Sequence, residues 1–115
     1  MRRFSLLTAL CLVAAPAEAA VYKCPTTPAS YTDGQSLADG WQVWVEGAKQ
    51  ANVERWTNGV VFFHPAVGSA PPSVELQCLA SAKVEGGLVP VEARKSFDRR
   101  MRCTFDKAGQ SFDCR

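Results

Sequence analysis

Four cysteines, Cys24, Cys78, Cys103 and Cys114, limit what this chain can become more than any other feature, because of the segment that precedes them. Met1-Arg2-Arg3 is a positive start, Phe4 to Ala15 an apolar run, and Ala17-Glu18-Ala19 a small-x-small cleavage site. The run is shorter than the roughly 20 apolar residues that cross a bilayer, so residues 1–19 read as an export signal and no membrane span is expected after cleavage. Cys11 follows Leu10 inside the run, where lipid attachment would need a small residue, and is expected to leave with the signal. An even set of cysteines then enters an oxidising compartment, periplasmic or extracellular, and two disulfides are the default. Zinc suits them poorly: there is no C-x-x-C pair, and 53, 24 and 10 residues separate successive cysteines.

The mature chain of about 96 residues is one domain by size, which excludes a multidomain enzyme. The full sequence, with 47% apolar and 21% charged residues, has the composition of a globular protein. Two disulfides of about 2 to 4 kcal/mol each would matter to a domain whose whole stability is about 5 to 10 kcal/mol. The net charge of +2 is too small for a nucleic-acid binder, and none is expected as a partner.

Residues 20–40 hold two prolines, several Ser and Thr, and turn signals at Asp33-Gly34 and Asp39-Gly40, which reads as an extended N-terminal arm tied to the body, residues 41–115, through Cys24. Trp41, Val43 and Val45 alternate with Gln42, Trp44 and Glu46, the pattern of a half-buried strand with Trp44 on its outer face. Ala48 to Trp56 is ambiguous: it fits two turns of helix, while Val53 to Thr57 fits equally a strand pairing across Asn58-Gly59. Asn58-Gly59 reads as a turn opening the apolar run Val60 to His64, which, as a central strand, Pro65 would end. Val74, Leu76, Cys78, Ala80 and Ala82 fall on every second position of a long one-sided strand. A hairpin about Gly86-Gly87 sets Ala82 opposite Val91, Ala80 opposite Ala93 and Leu76 opposite Phe97.

Folding Arg99 to Asp106 onto Gln110 to Cys114 about Ala108-Gly109 sets Phe105 opposite Phe112 and Cys103 opposite Cys114, with Met101 on the same face. Four cysteines allow three connectivities; this register favours Cys103 with Cys114 and so Cys24 with Cys78. The expected fold is mainly β, or α+β with one short helix: a small antiparallel, meander-like sheet of about five to six strands carrying two disulfides.

Met101-Arg102-Cys103-Thr104-Phe105 and Ser111-Phe112-Asp113-Cys114 resemble the end of an uncharacterised family of small exported Gram-negative proteins, a Cys-x-aromatic strand, a short turn and a terminal Cys. The likeness extends to Cys24-Pro25, Gly40-Trp41 and the strand and loop from Val60 to Pro72. His64-Pro65 departs from it, standing where a turn-forming Gly is usual. The resemblance implies a periplasmic domain of unknown function.

Catalytic signals are sparse. His64, the only histidine, ends an apolar strand and reads as structural; no serine lies in a G-x-S-x-G setting, and oxidised cysteines are not nucleophiles. Asp106 and Asp113, expected to face each other on the outer side of the last hairpin, read as ordinary solvated carboxylates. Neither a metal nor a cofactor is expected. For partner contact, Trp44 is the best aromatic candidate. Residues 20–93 carry four Lys/Arg against seven Asp/Glu, whereas residues 94–115 carry seven against three, so Arg100 and Arg102 mark a basic C-terminal edge. The functional expectation is a non-catalytic exported binding protein with a protein partner in the envelope, acting as an inhibitor or immunity-type protein for an envelope-acting enzyme. An accessory role in envelope or surface-structure assembly is the alternative, and a small enzyme the third.

Overall fold

A computed structural model describes residues 19–115; the rest of the expected export signal, Cys11 included, lies outside the described residues. The described chain is all-β and antiparallel, with ten strands and no helix. Its spine is a long hairpin of β7 (Ser73–Val84) and β8 (Gly87–Phe97). Along β7 the alternation predicts the inner face: Val74, Leu76, Cys78, Ala80 and Ala82 are all buried. The turn residues are Glu85-Gly86, not Gly86-Gly87, because Gly86 at φ 97° reverses the chain and Gly87 already pairs with Val84. The register therefore moves by two residues from the sequence expectation, giving Ala82 opposite Val89, Ala80 opposite Val91 and Leu76 opposite Lys95. An even shift leaves every side chain on its expected face.

β8 takes β4 (Gln42–Val45) on its other side, and β4 takes the short β3 (Gln35–Ser36). The free side of β7 is shared by two strands in succession: β6 (Asn58–His64) covers Ser73–Leu79, and β5 (Gln50–Val53) pairs at Lys83, with β2 (Ala29–Thr32) beyond it. The order β2-β5-β7-β8-β4-β3 is not a simple meander. Its two outermost strands are neighbours in the chain, joined by Asp33-Gly34 alone, so the sheet curls into a nearly closed barrel. At that seam the Asp33 N–H donates to Lys49 O (2.9 Å), the Gly34 N–H to Val43 O (2.8 Å), and the Val45 N–H to Asp33 Oδ1 (2.8 Å). Trp41, Val43, Val45, Val53, Trp56 and Val91 are buried with the β7 residues in one apolar core.

A second, three-stranded sheet, β1 (Ala20–Lys23), β10 (Ser111–Cys114) and β9 (Cys103–Asp106), completes that core at the other end of the long hairpin. Phe112 pairs with Phe105 and Cys114 with Cys103, the expected register, and the Cys103–Cys114 and Cys24–Cys78 disulfides are both formed. Residues 20–40 are extended, and they are woven into both sheets through β1, β2 and β3. The seam between sheets is further tied by Gln110, whose Oε1 accepts from the Trp56 N–H (2.6 Å) and Thr27 Oγ1 (3.1 Å) while its carbonyl accepts from the Cys24 N–H (2.9 Å).

Three local expectations change. Ala48 to Trp56 forms no helix; Ala51 and Val53 point inward from β5, and pairing with Tyr31 and Ala29 outweighs a weak helical preference. Asn58-Gly59 is the start of β6 rather than a turn, and a side chain at Gly59 would collide with the ring of Phe105. The run Val60 to His64 is not central but an edge, hydrogen-bonded to β7 alone among the described residues.

Candidate functional site

The outer face of β6, β7, β8 and β4 is set by strand alternation. Cross-strand pairing aligns Asn58, Leu79, Glu92 and Trp44 in one row, and Val60, Gln77, Arg94 and Gln42 in the next. Trp44 stays 37% exposed, and its ring centroid lies 5.8 Å from the Arg94 guanidinium carbon. Glu92, two residues away on the same face of β8, binds Arg94 Nη2, and this hydrogen bond raises the arginine's already high pKa. Arg94 Nε is buried with no hydrogen-bond partner. These residues, with Asp33, Glu46 and Pro90, line an open groove of about 450 Å³. An aromatic wall with carboxylates and a guanidinium around it can stack a planar or apolar group and hydrogen-bond its polar edge.

Arg100 and Arg102 lie in a different part of the molecule, around the start of β9, and both are exposed. The Arg100 guanidinium carbon sits 5.5 Å from the centroid of Phe63, on the inner-parity face of β6. Arg99 Nη2 donates to the Tyr22 hydroxyl (3.0 Å), and Arg99, Arg100 and Arg115 border a small groove with Tyr22 and Met101. Arg102 is held through its backbone, which exchanges hydrogen bonds with Arg115 at 2.8 and 2.9 Å. The structure thus gathers Arg100 with Arg99 and Arg115 but sets Trp44 beside Arg94 instead.

Sequence reasoning overlooked Phe62 and Phe63, 43% and 45% exposed. The apolar run was visible; its edge position depends on nonlocal pairing. His64 is exposed at the end of β6, opposite Ser73. Asp106 lies opposite Ser111 and Asp113 opposite Thr104, so the two aspartates do not face each other. Among the described residues, no group of three or more His, Cys, Asp or Glu side chains could hold a metal ion, and no helix is long and apolar enough to cross a membrane. The two disulfides are compatible with an oxidising, extracytoplasmic location. Compared with models of known families, with curated proteins and with solved structures, the chain matches none.

Proposed function

We propose that this is an exported, periplasmic or secreted protein that binds a protein partner in the envelope and performs no catalysis itself, in the manner of an inhibitor or immunity-type protein for an envelope-acting enzyme. The observation that carries the reading is the exposure of aromatic rings beside guanidinium groups, Trp44 with Arg94 and Phe63 with Arg100, on strands of a doubly stapled frame. Aromatic and arginine side chains dominate binding hot spots, and a rigid frame loses little conformational entropy on association. Assembly of an envelope structure is the second reading, favoured by the open edge of β6.

The test is recovery of the tagged mature protein from the periplasm, followed by titration of the recovered partner. An inhibitor gives a stoichiometric complex and an activity that falls to an end point at one equivalent; an assembly factor gives a structural subunit with no activity to lose. Replacing Arg100 and Arg102 with Ser slows association at low salt and flattens its salt dependence, because exposed charges act mainly on the encounter rate. Absence of any stoichiometric partner, or turnover of a substrate by the purified protein, would overturn the proposal.

A further inference from the structure

The edges of the large sheet are treated unequally. β2 and β3, the ends of its path, are short and are joined by Asp33-Gly34, which is itself hydrogen-bonded to Lys49, Val43 and Val45. β6 has β7 on one side and, among the described residues, no hydrogen-bonded strand on the other. Alternate residues of an edge strand turn their N–H and C=O groups outward, and proteins usually blunt such edges with Lys, Pro, a bulge or an inward charge. From Val60 to Phe63 the edge has no charged residue and no proline, and four strand-favouring apolar residues occupy it. Phe62 and Phe63 remain exposed there, as does Val67 in the loop that follows.

The two sides of this edge differ in charge. Val60 and Phe62 share a face with Gln77 and Glu75, and Gln77 Nε2 donates to Glu75 Oε2 (2.7 Å). Arg94, further across that face, is already paired with Glu92, and Glu75, directly opposite Phe62, would repel a carboxylate arriving beside it, whereas an apolar side chain would cover Phe62. Phe63 lies on the opposite face under Arg100, and Arg99 and Arg115 border the neighbouring groove. A carboxylate arriving there meets guanidinium groups. An added strand presents its side chains to the two faces alternately.

We infer that β6 is a strand-addition site that receives an extended segment of the partner protein in which apolar and acidic residues alternate, the apolar set over Phe62 and the acidic set beside Arg100. This rests on the proposed binding role and names how and with what chemistry the partner enters. Main-chain hydrogen bonds supply affinity, and the alternating faces supply specificity and fix the register.

The probe is a capped eight-residue peptide of alternating Val and Glu, titrated into the isotope-labelled mature protein. Amide shifts should concentrate in Val60–His64. Exchange of Glu for Lys should weaken binding about tenfold or more, and Arg100→Ser about fivefold. N-methylation of the peptide at one alternating set of residues should abolish binding while the other set is tolerated, since only one set faces the edge. Equal effects of the two N-methylated sets, equal binding of the Lys peptide, shifts centred on Trp44, no shift at about 1 mM peptide, or concentration-dependent pairing of β6 between two copies would each overturn the inference. Its failure is separable from that of the binding role: a partner captured equally by wild type and Phe63→Glu removes strand addition and leaves the role standing. A protein that binds the peptide but captures no partner does the reverse.

Discussion

The two ends of the β7–β8 hairpin are built on opposite principles. At the turn end, around Ala80–Val84, the sheet closes on itself because β2 and β3 are separated by only two residues, so chain connectivity brings its edges together. At the other end, around Val74–Cys78, closure comes from a separate small sheet packed face to face and held by Cys24–Cys78, with Phe105 set against Gly59 and Tyr22 against Phe97 at 4.7 Å between ring centroids. Connectivity satisfies backbone edges as well as apolar faces; face packing satisfies only faces. That difference accounts for the short edges of β2 and β3, tethered to each other by two residues at the closed end, and for the long unpaired edge of β6 at the stapled end.

The largest effect should come from unstapling one end. Cys24–Cys78 closes 54 residues of chain and Cys103–Cys114 only 11, so loop-closure entropy gives about 4 and about 3 kcal/mol respectively. Replacing Cys24 and Cys78 with Ala should lower the melting temperature more than replacing Cys103 and Cys114, and amide exchange should rise first in β1, β9 and β10. Uniform exchange through the barrel would mean that the ends are not separable units.

Packing comes next. Gly59→Val forces a side chain against the Phe105 ring and should cost about 1 to 3 kcal/mol, as overpacked sites do. Phe105→Leu in the same chain should recover part of the loss. An unchanged denaturation midpoint for Gly59→Val would show that the small sheet is not pressed on β6.

At the closed end, Asp33→Ala removes the acceptor for the Val45 N–H and should cost about 1 kcal/mol in urea unfolding, with local exchange increased at Val45 and little change in the small sheet. Loss of protection at β10 instead would contradict the independence of the two ends.

The smallest effect is a pH dependence. Burial, and then the charge of Asp39, raises the pKa of the Tyr31 phenol above 10.0; its hydroxyl donates to Thr26 O. A raised folded pKa means that the folded state holds the proton more tightly. The resulting stability is complete below the unfolded value and disappears as pH rises through the folded one. Stability measured from pH 9 upward should therefore decline more steeply in the wild type than in Tyr31→Phe; parallel curves would remove Tyr31 as the source.

Local sequence carried the elements whose partners are near in the chain. The last hairpin was legible because only one short connection brings Cys103 to Cys114 and Phe105 to Phe112 together, and Trp41, Val43 and Val45 were legible because alternation is a property of the strand alone. The inner face of β7 survived a two-residue register error for the same reason. Ala48 to Trp56 failed this test: its strand depends on β2, some twenty residues earlier, and on a buried Trp56 whose backbone N–H donates to Gln110.

The candidate surface divides the same way. That Trp44 faces outward follows from its own strand, and that residues 94–115 are basic follows from composition. That Trp44 meets Arg94, that Arg100 covers Phe63, and that Val60 to Phe63 form an edge all depend on which strands share the sides of β7. The sequence by itself determined the alternation of faces, the Cys103–Cys114 pairing and the reversals at Asp33-Gly34 and Ala108-Gly109, because each is a short-range consequence of side-chain polarity, thiol chemistry or backbone freedom. Only the tertiary structure decided which edge stays open. An apolar run such as Val-Val-Phe-Phe has the same local preference at the centre of a sheet or at its rim, and only long-range pairing separates the two.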